Sequence, residues 1–229
     1  AQVARMQAAL DAEGRVTVKG FYDDVRSLTK EERAQVAQIP FDEPAYLRET
    51  GSVSLFGEKG FTTYERTGAR PTLEINGIWG GFQGAGTKTV LPSTAHAKIS
   101  CRLVADQDPV KIADRVVQHM QQAAPPGVKV TTAKSESGAG PYLIPPDHAG
   151  LKVAYSVLKD LYGKEPYWVR MGGTIPANAM FLSYLGAYTI VFAFGHNDEL
   201  QHSPNEFFRL SGYERGQKAY GMLWERLAK

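Results

Sequence analysis

The chain is poor in cysteine: Cys101 is the only one in 229 residues. An internal disulfide is thereby excluded, and the composition fits a reducing compartment, with the cytoplasm as the expected location. An excess of charge of one sign is also missing. Lys and Arg number 26 against 24 Asp and Glu, a formal net charge of +2, so no basic field favours nucleic acid over a small molecule. Long apolar runs are absent too. The longest, residues 187–194, falls far short of the roughly 20 residues a helix needs to cross a bilayer, so no membrane partner is expected. What remains is 43% hydrophobic and 22% charged, which excludes disordered, collagen-like and disulfide-stapled classes and leaves room for one large domain or two small ones.

The first segment reads as small and mixed. Residues 1–13 have Val3, Met6 and Leu10 on one helical stripe, ended by Gly14. Because the chain opens on Ala1 rather than Met, its natural N-terminus is expected to lie upstream. Thr29 and Glu32 have capping-box spacing, and Val36 with Ile39 continues an apolar face until Pro40 stops it. Residues 41–70 carry no clear period and read as connecting loops and turns. Leu73, Ile75 and Ile78 then alternate with Thr72, Glu74 and Asn76, as in a strand with one buried face. Ala97, Ile99, Cys101 and Leu103 repeat that pattern, which turns Lys98, Ser100 and Arg102 to the opposite face. Asp108 and Pro109 open a helix along Ile112, Val116 and Met120, broken by Pro125, Pro126 and Gly127 before a strand-like 128–132. A small sheet covered by helices on one face is the expected result.

The second segment differs. Pro146 and Asp147 open a helix with Leu151, Ala154, Tyr155, Leu158 and Leu161, closed by Gly163. Residues 167–169 read as a short strand, and the continuously apolar 188–194 as a strand buried on both faces of a parallel sheet. A last helix runs from about Phe208 through Leu210, Tyr213, Tyr220, Leu223 and Leu227. The whole is α/β, with domains expected at 1–143 and 144–229. There is no internal repeat.

Few residues stand out chemically. The Gly-rich GGFQGAGTKT, residues 80–89, imitates a phosphate loop, but its Lys does not directly follow the last Gly and a strand, not a helix, comes next. It reads as a turn-rich hairpin. Among the five histidines, His119 and His148 fall on helices and read as surface residues, and His96 reads as a loop or edge position. His202 follows the apolar run 188–194 through a loop with Gly195, Asn197 and Asp198, and ligands of α/β sheets gather outside the carboxyl ends of such strands. Position alone leaves a metal role and a plain loop role both open.

Four stretches carry a family resemblance: GGFQGAGTKTVLP (80–92), AKISCRLVADQDP (97–109), RMGGTIP (170–176) and HSPNE (202–206). In this order they resemble the aminoacylase and dipeptidase group of di-zinc metallopeptidases, which includes carnosine-type dipeptidases, acetylornithine deacetylase and succinyl-diaminopimelate desuccinylase. The dipeptidase branch is the most similar, closely from Pro71 onward and more weakly before it. The resemblance implies a lid domain, an antiparallel sheet with helices on one face that mediates homodimerisation, over 1–143, and the last part of a mixed or parallel-sheet catalytic domain over 144–229. It implies an enzyme that holds two zinc ions, or other divalent metals, and hydrolyses the amide bond of dipeptides or N-acyl amino acids.

Residue by residue, the resemblance matches His202 to a metal ligand, Arg102 to the arginine that binds the substrate carboxylate, and Thr89 to a lid residue reaching the neighbouring subunit's site. It matches Thr174 to a hydroxyl-bearing substrate contact, with Gly172 and Gly173 letting substrate approach the backbone. The family's other ligands and its general base belong upstream of the lid, and Ala1 starts downstream of them. No catalytic residue is therefore assigned here, and the chain alone is expected to be inactive. His196-Asn197-Asp198 and Glu31-Glu32 imitate the missing motifs and read as decoys. The alternative function is a non-catalytic dimerisation or small-ligand module with the lid fold.

Overall fold

The computed structural model describes residues 9–135, 138–173 and 175–229. Its regular elements are α1 (Lys30–Ala37), α2 (Glu43–Thr50), α3 (Thr63–Ala69), β1 (Thr72–Gly80), β2 (Ala95–Arg102), α4 (Pro109–Gln122), α5 (Ala149–Tyr162), α6 (Pro176–Leu185), a 3-10 turn at Asn197–Glu199, and α7 (Leu210–Leu227). The α/β class is as expected. Two compact units form, one from the described residues of Ala1–Leu28, Phe56–Pro141 and Arg170–Thr174, the other from Thr29–Leu55, Tyr142–Val169 and Ile175–Lys229.

The first unit is built on an antiparallel pair. β1 faces β2 in the register Leu73↔Cys101 and Ile75↔Ile99, which slips at Asn76 so that Gly77 faces Lys98. A bulge of this kind leaves one residue unpaired. The inner face of the pair and the Ile112–Val116 stripe of α4 share one core with Ala9, Val16, Val18 and Phe21. Asp108 caps α4 by accepting the Lys111 N–H at 2.8 Å, the cap its position before Pro109 predicts.

The expected N-terminal helix needs correction over its described part; residues 1–8 lie outside the described ones. Leu10 bridges Val16 in antiparallel fashion, and the Asp11 carboxylate accepts the N–H groups of Glu13 and Arg15, both at 2.9 Å. A short acid that bonds its own backbone competes with helix propagation, so the chain turns at Gly14 (φ 75°) instead of ending a helix there. The strand expected at 128–132 forms no ladder either.

Residues 41–70 hold two helices where loops are expected. Asp42 caps α2 on the Ala45 N–H and Gly51 closes it in the left-handed region. Thr62 and Glu65 form a full capping box on α3. These end signals were present in the sequence. The apolar stripe that announces a helix was not, and α2 buries no residue. By contrast α1 begins at Thr29 with the capping box its spacing predicts.

In the second unit α5 and α7 bury Ala154, Val157, Ala219 and Leu223 together with Phe192. The run 188–194, expected as a parallel strand, pairs with no strand among the described residues, and 167–169 is not a strand either. Apolar side chains can be buried against helices as well as within a sheet, and here tyrosine hydroxyls take over part of the backbone's hydrogen bonding. Tyr142 donates to the Thr189 carbonyl at 2.7 Å and accepts the Thr189 N–H at 2.8 Å, and Tyr220 donates to the Phe192 carbonyl at 2.7 Å. Buried backbone groups require such partners. Helix α6, which was not expected, starts at Pro176 and stops at Gly186 in the left-handed region.

Candidate functional site

The HSPNE loop lies in the second unit, between the 3-10 turn and α7. Three residues other than glycine hold left-handed backbone there: Leu200 (φ 55°), His202 (62°) and Asn205 (65°). Such conformations are unfavourable for side chains with a Cβ and cluster at working sites. Inside the loop the Ser203 N–H bonds the Leu200 carbonyl at 2.9 Å, the Glu206 N–H bonds the Ser203 carbonyl at 3.2 Å, and the His202 N–H bonds Glu206 Oε2 at 3.2 Å. His202 itself is exposed.

Beneath the loop lies Glu199, 1% exposed. Its Oε2 accepts the His196 N–H at 2.8 Å and its Oε1 the Arg209 N–H at 3.0 Å. The Arg209 guanidinium adds a contact to Glu199 Oε1 at 3.3 Å and grips Asp198 with both prongs at 2.8 and 2.7 Å. The Arg209 fork holds the Asp198 carboxyl below the usual range; for Glu199 the His196 N–H is the main cause and Arg209 adds to it. A cavity of about 450 Å³ opens beside this loop, lined by Phe194, Gly195, Glu199, Glu206, Phe207 and Phe208 among others.

The other expected site residues fall in the first unit. Arg102 ends β2 opposite Thr72 and is exposed. Thr89 lies in the wholly exposed connection 81–94 between the two strands. Gly173 follows a segment pressed on α3: a Cβ on Gly172 would sit 2.8 Å from the Thr67 carbonyl oxygen, and one on Gly68 2.8 Å from the Arg170 carbonyl oxygen. Only glycine allows such backbone contact. Thr174 lies outside the described residues. His96 belongs to β2 itself, stacked on Trp79 at 5.0 Å and 10°. His148, expected on the surface, is half-buried with its ring edge on Tyr188 and a buried Nδ1 that has no hydrogen-bond partner.

Among the described residues no group of three or more His, Cys, Asp or Glu is arranged to hold a metal ion. His202 offers one imidazole donor, and a metal site needs several. The described residues therefore do not make a metal centre by themselves. Sequence reasoning missed Glu199 and Arg209. The one available signal was the spacing of Glu199, three residues after His196, which is that of a capping acid.

A family model described as a peptidase dimerisation domain matches residues 3–128. Cys-Gly metallodipeptidase DUG1 of Saccharomyces cerevisiae is 30% identical over 213 residues, 91% of this chain and 44% of that protein. Beta-Ala-His dipeptidase of Homo sapiens is 28% identical over 233 residues, 99% of this chain and 45% of that protein. Among solved structures, the M20 family metallo-carboxypeptidase Sso-CP2 from Sulfolobus solfataricus matches with a TM-score of 0.83 and 29% identity over 97% of this chain and 51% of that one. Human carnosine dipeptidase 1 matches with a TM-score of 0.77 and 26% identity over 97% and 48%. The chain spans about half the length of the curated relatives it matches. No helix among the described residues is long and apolar enough to cross a membrane. With the dimerisation-domain model matching more than half of its length and M20 peptidases as its structural neighbours, this chain belongs to the M20 metallopeptidase family.

Proposed function

We propose that the chain contributes the dimerisation lid, over 1–143, and a C-terminal part of the catalytic domain, over 144–229, to a cytoplasmic, homodimeric, metal-dependent hydrolase of dipeptides or N-acyl amino acids. The observation that carries this reading is a likeness to metallodipeptidases that runs through both segments, at 99% coverage of this chain, and includes the HSPNE loop. Zinc suits a site with an imidazole donor.

The chain's own part is binding and positioning. His202 would donate its neutral imidazole to the metal. Arg102 would hold the free carboxylate of the substrate, since a guanidinium offers two parallel N–H groups to two oxygens. Gly173 and Thr174 would line the path of the substrate backbone, and Thr89 would reach the neighbouring subunit's site. Fixing one end of a substrate in this way turns a chance encounter into an oriented one.

The test is His202→Ala in the active enzyme, reading metal content and dipeptide hydrolysis together. Both should fall. Unchanged metal content and activity would remove the central residue of the reading and favour a lid-fold module without chemistry.

A further inference from the structure

Resting on the reading of His202 as the working residue of its loop, we infer that Glu199 is the positioning residue that keeps the loop in its strained shape and so aims His202. The loop needs an external hold. Leu200, His202 and Asn205 all have left-handed backbone, and the bonds inside the loop run between exposed residues, where water competes for every donor. Glu199 is different because it is 1% exposed.

One residue closes both ends. Its Oε2 takes the N–H of His196, before the loop, and its Oε1 the N–H of Arg209, after it. Its backbone carbonyl takes the Phe207 N–H at 3.2 Å. Arg209 then returns to Asp198 with a two-pronged contact. The His196-Asn197-Asp198 stretch, which imitates a metal motif in the sequence, is thus the near wall of a clamp.

The chemistry of the clamp makes a sharp demand. Both side-chain oxygens must accept, each from a different end, and only a carboxylate does this. A glutamine of the same size accepts on one side and presents N–H against N–H on the other. Glu199→Gln therefore separates a clamp from a space-filler, since packing alone is satisfied by the isosteric side chain.

Amide hydrogen exchange on the active enzyme tests this by a readout other than hydrolysis. In Glu199→Gln the amides of His202, Ser203, Glu206 and Phe207 should exchange about tenfold faster, the loss of one hydrogen bond to a charged group, while α5 and α7 keep their protection. The His202 ring resonances should shift or double in the same variant. Wild-type exchange, unchanged His202 resonances, or protection lost equally across α5 and α7 would each overturn the clamp. His202→Ala checks the underlying reading separately: if it spares metal content and hydrolysis, that reading fails whatever the exchange data say.

Discussion

Cys101 turns inward from β2 beside Leu73 and Ile99, and burial, with help from the Glu74 charge, pushes its thiol up from 9.0 to about 11. Thiolate is the reactive form. Alkylation of the native chain at pH 8 should therefore run about 100-fold slower than in the denatured chain, as two pH units of pKa imply; equal rates in a labelling time course would refute this. Asp198 and Glu199 give the opposite sign. Both folded carboxyls lie below their ordinary values, so their contribution is complete above the unfolded carboxylate range near pH 4 and is lost as pH falls through the lowered folded values. The loop 196–209 should accordingly lose exchange protection in acid, and Asp198→Asn should flatten that profile. At this scale the sequence was legible where a motif marks a residue, as HSPNE marks His202. For Glu199 it offered only the spacing from His196, and burial is what shows that the loop closes on this acid.

Helix ends were written more clearly than helix interiors. Thr29 with Glu32 and Asp108 with Pro109 announced α1 and α4, and the same capping chemistry stood at Asp42 and Thr62 without an apolar stripe to support it. Thr62→Ala should cost about 1 kcal/mol, the usual value of such a cap, measured by denaturant unfolding; an unchanged midpoint would mean that packing alone holds α3. The β1–β2 pair was legible because one face is buried and period-two alternation follows. The run 188–194 misled because a continuous apolar stretch is equally at home in a buried strand or against helices, and α5, α7 and the hydroxyls of Tyr142 and Tyr220 resolve it towards the second. Helix α6 lacked a strong signal as well: among its described residues only Asn178 is buried. Gly68, inside α3, inverts a common rule. Alanine normally strengthens a helix over glycine by about 1 kcal/mol, but here the new Cβ would strike the Arg170 backbone. Gly68→Ala should lower stability, and a raised unfolding midpoint would show that the 170–173 segment yields freely.

Each unit keeps its own apolar cluster, and in each the cluster unites stretches far apart in sequence. Phe21, 1% exposed, fills the first, so Phe21→Ala should cost about 3–5 kcal/mol as buried aromatics do. Val53, 99% exposed, serves as the control, with Val53→Ala within about 0.5 kcal/mol of wild type; similar losses for both would contradict the core described. Composition foretold a chain large enough for such cores, but no pattern in it foretold that the first unit takes back Arg170–Thr174, or that the second takes Thr29–Leu55. The second cluster needs Ala219 and Leu223 of α7 against Ala154 and Val157 of α5. On the ribosome, where the amino end emerges first, α5 is finished long before α7 exists. Its apolar face must wait in water or in the hands of a chaperone until α7 has emerged, an interval in which the nascent second unit is open to misfolding.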